Sequence, residues 1–178
     1  IAAVAVHADG RHPHILLGDS FEVVLRQGEA AARLPDKANI LLHGIGVGAQ
    51  RTGVEPAQAL AAFERYVGTS PLLAFHAAFD RTMIERAFQA VLGHRPAVPW
   101  LDIEPVAAVL HPQVRARSLD EWMAHFDIHC LVRHQAAADT LATAELLLKL
   151  WPAMRAQGVR PSFKAVAKLA AQRRWVTG

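Results

Sequence analysis

The chain has 178 residues, 52% hydrophobic and 20% charged, with a formal net charge of +3. This balance describes one globular domain able to bury a core, and it excludes a disordered chain. No apolar run approaches the roughly 20 residues of a membrane span. A single cysteine, Cys130, excludes an internal disulfide framework and fits a reducing cytoplasm.

Ile1 to Val6 is an apolar run that reads as a buried strand. Asp9-Gly10 is a turn signal, and Ile15–Leu17 with Phe21–Leu25 continues as strand, so residues 1–26 are expected to form a β-hairpin. Residues 38–42 suit a short helix or strand, and four glycines between Gly44 and Gly53 mark a loop without phosphate-loop spacing. Pro56, Leu60, Phe63, Val67 and Gly68 punctuate an amphipathic helix. After Pro71, Leu72–Phe75 reads as a short buried strand. A helix opened by Asp80 then follows, with Met83, Ile84, Ala87, Phe88, Val91 and Leu92 on one face and a stop at Gly93.

Ala97–Leu101 is a second short strand, and Asp102 caps a helix that ends before Pro112. Ser118-Leu119-Asp120-Glu121 is a capping box that starts a helix carrying Trp122, Met123 and Phe126. Ala136–Trp151 is the longest helical pattern, with Leu141, Ala144, Leu148 and Trp151 as its stripe and Leu146, Leu147 and Leu150 widening the apolar surface, as expected of a central, well-covered helix. Ser162 caps a last helix with Phe163, Val166, Leu169 and Ala170 inside and Lys164, Lys168, Arg173 and Arg174 outside. The order predicts an α/β fold with a mixed sheet and flanking helices.

Two stretches carry candidate chemistry. Asp80 stands where a strand hands over to a helix. A helix N-cap accounts for such an acid, yet open α/β sheets also bind ligands beyond the carboxyl ends of their strands. His134 and Asp139 open the long helix, and an acid in that apolar segment calls for a partner or a cation. Pairing with Arg133, or exposure to water, would also satisfy it.

Taken together, His76-Ala77-Ala78-Phe79-Asp80 after a strand and His134 with Asp139 about sixty residues later resemble the second and third motifs of the DEDD 3′–5′ exonucleases. The resemblance is to the His-containing branch, which includes the proofreading subunit of bacterial replicative polymerase and ribonuclease T. Asp19-Ser20-Phe21-Glu22-Val23 resembles the family's second hairpin arm, His43-Gly44-Ile45 its substrate-side loop, and Leu101-Asp102 the strand end before its middle helices. The family fold implied is a ribonuclease H-like mixed sheet, with residues 1–151 as the exonuclease-like domain and 152–178 as a helical extension packed on it.

The resemblance implies a metal-dependent 3′–5′ exonuclease acting on single-stranded DNA or RNA ends. Two Mg²⁺ or Mn²⁺ ions would bind hard carboxylate oxygens, one activating water and the other steadying the leaving oxygen. It makes Asp80 and Asp139 metal ligands and His134 the general base, and it places His43, Ile45, His76 and Phe79 at the substrate. The partners implied are single-stranded 3′ ends, a DNA polymerase and a second copy of the chain; a membrane is not among them. Ala77 stands where the family has Asn. The family's first motif, Asp-x-Glu on a central first strand, should precede Ile1, so the natural protein is expected to be longer and to carry that central strand upstream.

A second reading is an inactive exonuclease-like module that binds nucleic acid or a polymerase. The basic face of residues 162–175, near Arg155 and Arg160, would serve it, although such a face is ordinarily a solvated helix surface. A third reading gathers His125, His129, Cys130 and His134 into a zinc site, without the usual finger spacing.

Overall fold

The computed structural model describes residues 1–8, 12–26, 52–130, 134–160 and 162–173. Strands β1 (Ala2–His7) and β2 (His14–Glu22) form an antiparallel pair. Its register jumps from Val4↔Ser20 to Ala5↔Leu16, so Leu17, Gly18 and Asp19 bulge out of the ladder and Leu17 is left 67% exposed. The expected hairpin is thus present with one irregular arm, and its Asp9-Gly10 turn lies outside the described residues. Ile1 extends the pair by exchanging two hydrogen bonds with Val23, at 2.8 and 2.9 Å. Beyond it the chain leaves the ladder, and Val24 and Arg26 bond instead to Val54. Gly53 permits that approach, since a Cβ there would lie 2.7 Å from Val24 O and Arg26 N.

Helix α1 (Pro56–Val67) begins at the expected proline. The Glu55 side chain accepts the Gln58 N–H, and Leu60, Phe63 and Val67 are buried. Strand β3 (Leu72–Ala74) pairs parallel with β4 (Trp100–Asp102). Ala97–Pro99 fall outside that ladder, although Pro99 O still accepts the Leu72 N–H. Proline has no N–H to give a ladder, which delays β4 to Trp100. Between β3 and β4 runs α2 (Ala77–Val91). Its inward face is Ala77, Ile84, Ala87 and Phe88, whereas Met83 (53%) and Val91 (41%) are exposed rather than facing the core.

Helix α3 (Ile103–Leu110) follows β4 directly, and α4 (Leu119–Phe126) carries both halves of its capping box. Helix α5 (Ala136–Ala156) continues through Pro152, past the expected end at Trp151. Its buried line is Leu146, Leu147, Leu150, Trp151 and Met154. Of the predicted stripe Ala144 and Trp151 are buried and Leu141 and Leu148 half-buried, and the flanking Leu146, Leu147 and Leu150 are buried as expected. Helix α6 (Phe163–Ala170) is capped by Ser162 and buries Val166 and Leu169.

Two apolar clusters flank the strands. Leu60, Phe63, Val67 and Phe88 of α1 and α2 pack with Ala3, Phe21 and Leu72 on one face. On the other, α3 to α6 gather around Trp122, Leu146 and Leu150, with Val6 and Leu73. Strands β1 and β3 therefore both contribute to both faces, a layered mixed α/β arrangement. Among the described residues the two ladders, β1–β2 and β3–β4, are separate, and the residues of β1 and β3 are at most half-buried. No described helix is long and apolar enough to cross a membrane.

Candidate active site

Strand β3 ends at Ala74, and two residues later the chain turns through His76 in the left-handed region (φ 57°) into α2. A non-glycine residue pays for that conformation, so something must hold it. The holder is Asp102, at the end of the adjacent strand. Its Oδ1 accepts the His76 N–H at 3.0 Å and the Glu104 N–H at 3.0 Å, so one carboxylate fixes the entry of α2 and caps α3. Asp80 lies in the first turn of α2, four residues after His76, and is not the helix cap. Helix N-termini favour such acids. The residue is exposed as a whole, yet protein around its carboxyl partly desolvates it. That desolvation, with the charge of Asp102 as a smaller contribution, raises its pKa above the ordinary aspartate range. Asp80 and Asp102 thus form an acidic pair near the carboxyl ends of two neighbouring parallel strands.

The second motif repeats the device. His134 is exposed and again left-handed (φ 67°), and Asp139 Oδ1 accepts its N–H at 3.2 Å. Asp139 is half-buried in the first turn of α5, with its own N–H bonded to Gln135 O at 2.9 Å. The next residue ties this turn to the sheet, since Thr140 Oγ1 donates to Ala2 O of β1 at 3.3 Å. Each proposed ligand therefore sits one turn into a helix entered through a left-handed histidine, and in each case a carboxylate holds that histidine's N–H.

His76 is exposed, its ring 4.5 Å from that of Phe75, and Phe79 is 71% exposed on the outer side of α2. His43 and Ile45 lie outside the described residues. A hollow of about 430 Å³ lined by Ala77, Ala78, Arg81, Thr82, Trp100 and Asp102 borders the start of α2, but neither Asp80 nor Asp139 lines it. The hollow shares Asp102 with the acidic pair but not the two acids of the motifs.

The zinc arrangement does not form. The His125 ring packs against Phe126, His111 and Trp122, His129 meets Asp127 at 3.2 Å, and Cys130 lies 4.0 Å from Ala138 O.

Compared with known proteins, residues 1–147 match the RNase_T family model, described as exonuclease. The chain belongs to this exonuclease family. It is 30% identical over 161 residues to a DNA polymerase III subunit epsilon-like protein of Rhodobacter capsulatus, covering 89% of this chain and 22% of that protein. It is also 30% identical over 137 residues to a PolC-type DNA polymerase III of Oceanobacillus iheyensis, covering 72% of this chain and 10% of that protein. The chain thus spans about a fifth or less of the length of these relatives.

Asp102, which holds His76 and lies near Asp80, was read from the sequence as a cap and a strand end but not as their neighbour. Its position at a strand end, like that of the residues leading to Asp80, was the available signal; its bond to His76 was not. The donor set can also be tested against a divalent metal. Among the described residues no group of three or more His, Cys, Asp or Glu side chains converges to hold an ion. Hard dications take about six oxygen ligands, with several carboxylates in an all-protein site. The described residues of this exonuclease domain therefore do not make a complete metal centre by themselves.

Proposed function

We propose that this chain is the exonuclease domain of a metal-dependent 3′–5′ exonuclease that hydrolyses phosphodiester bonds at the ends of single-stranded DNA or RNA. The observation that carries the reading is the repeated construction of Asp80 and Asp139, each one turn into a helix behind a left-handed histidine. The raised pKa of Asp80 supports it, because a partly desolvated carboxylate beside a second acid is relieved by a cation. In this reading Asp80 and Asp139 contribute two carboxylates to a Mg²⁺ or Mn²⁺ site, whose ions would supply Lewis-acid stabilisation of the phosphoryl group. The reading needs carboxylates beyond these two, which the family resemblance assigns to an Asp-x-Glu strand.

His134 is the general base, a role that an imidazole within reach of a water suits. The exposed His76 and Phe79, with His43 and Ile45, contact the terminal nucleotide. The polymerase names of the relatives support work beside a DNA polymerase; a cytoplasmic location and a homodimer are further parts of the proposal.

The test is release of mononucleotides from a 5′-labelled oligonucleotide with Mn²⁺. Asp139→Ala is expected to abolish release, and retained activity in that variant would refute the assignment. The lack of a converging group of three ligands among the described residues favours a second reading, an inactive module of the same fold. Oligonucleotide binding without turnover by the full-length protein would select it.

A further inference from the structure

Charge is distributed very unevenly along the chain. All 16 Asp and Glu lie in residues 1–145, against 12 Lys and Arg, which leaves that segment at −4. Residues 146–178 hold seven Lys and Arg and no acid, a segment of +7. Such an asymmetry marks an anionic partner more strongly than the modest net charge does.

The structure lays part of this segment out as a strip. Helix α6 buries Val166 and Leu169 against the core, and Lys164 and Lys168, one turn apart, are exposed on its other side. Arg160 is exposed just before the helix. None of these three cations forms an ion pair with a described residue. Arg173, by contrast, anchors the far end, its Nη2 bonded to Glu104 Oε1 at 3.1 Å. Glu104 is the residue whose N–H caps onto Asp102, the neighbour of Asp80. The strip therefore starts at the edge of the acidic pair and leads away along α6.

We propose that Arg160, Lys164 and Lys168 form a phosphate-binding track for a single-stranded nucleic acid whose end reaches the Asp80 site. The direction of the strand rests on the exonuclease reading; the binding does not. A membrane surface fits less well, because the apolar face that a membrane-seeking helix would insert is already buried against the core.

The experiment is fluorescence anisotropy of a 5′-fluorescein-labelled, 20-nucleotide thymidine strand with the full-length protein in EDTA, titrated with salt. Lys164→Ala/Lys168→Ala should weaken binding and flatten the slope of log K against log salt by about 1.4, at about 0.7 per contact to a single strand. Lys164→Arg/Lys168→Arg should restore both. An unchanged slope would overturn the track. So would an equal loss in the control Arg115→Ala/Arg117→Ala, which removes the same charge elsewhere, or binding to anionic phosphatidylserine vesicles with no binding to the strand. Binding that depends on the lysines, in a protein that never hydrolyses the strand with Mn²⁺, would support the track while removing the exonuclease reading.

Discussion

Asp102 holds two helix entries with one carboxylate oxygen, and removing it tests whether the site is built as described. The bond to Glu104 N–H is the N-cap of α3, and loss of such a cap typically costs about 1 kcal/mol. The bond to His76 N–H supports a left-handed residue, and it contributes about another 1 kcal/mol because it is exposed. Loss of the Asp102 charge relieves Asp80 slightly, which works in the opposite direction. Asp102→Ala should therefore destabilise the protein by about 2 kcal/mol, or about 4–8 °C in Tm for a chain of this size. Asp102→Asn keeps an acceptor at the same atom, and Asn caps about as well as Asp, so its loss should stay within about 0.5 kcal/mol. Thermal unfolding followed by circular dichroism in EDTA reads both. If Ala and Asn fall equally, or if Ala changes nothing, the two backbone bonds are not what holds the entries.

Asp80→Asn should raise stability at neutral pH in metal-free buffer while abolishing nuclease activity. The pKa of Asp80 is raised in the fold, so its favourable contribution is complete below the unfolded value of 3.8 and is lost as pH rises through the folded value. Melts at pH 3 and pH 7 check this; the variant should gain over the wild type only at pH 7. His111, at the end of α3, is shifted the opposite way. Burial first, and then the nearby His125, lower its pKa, and its buried Nε2 has no hydrogen-bond partner among the described residues. Its contribution is complete above about 6.5, the ordinary histidine value, and is lost as pH falls through the folded value. His111→Phe should flatten that acid limb in a pH series of melts, and an unchanged limb would contradict the environment described. Trp122 is fully buried between α4 and its neighbours, so Trp122→Ala should cost about 3–5 kcal/mol in urea unfolding, and a loss below 1 kcal/mol would show that the core closes without it.

Residue pattern alone determined the elements with strong punctuation. Pro56 and Gly68 bound α1, the Ser118–Glu121 box starts α4, and Ser162 caps α6, because capping and proline effects act within one turn and need no partner from elsewhere in the chain. Apolar runs also located β1 and β3, and the motifs that hold His76, Asp80, His134 and Asp139 resemble those of the exonuclease family.

Tertiary structure decided which side of each helix is inside. Met83 and Val91 match the period of α2 but face solvent, and in α5 Leu141 and Leu148 are only half-buried while Ala144, Trp151 and the flanking Leu146, Leu147 and Leu150 go inside. Periodicity defines a stripe only to within a residue or so; the packed neighbour chooses its centre. The same holds at the site. That Asp80 stands inside α2 and not at its cap, and that Asp102 holds His76 from 26 positions away, follow from β3 and β4 lying side by side. Parallel strands are joined through a crossover helix, so residues at their carboxyl ends meet only after the sheet has formed.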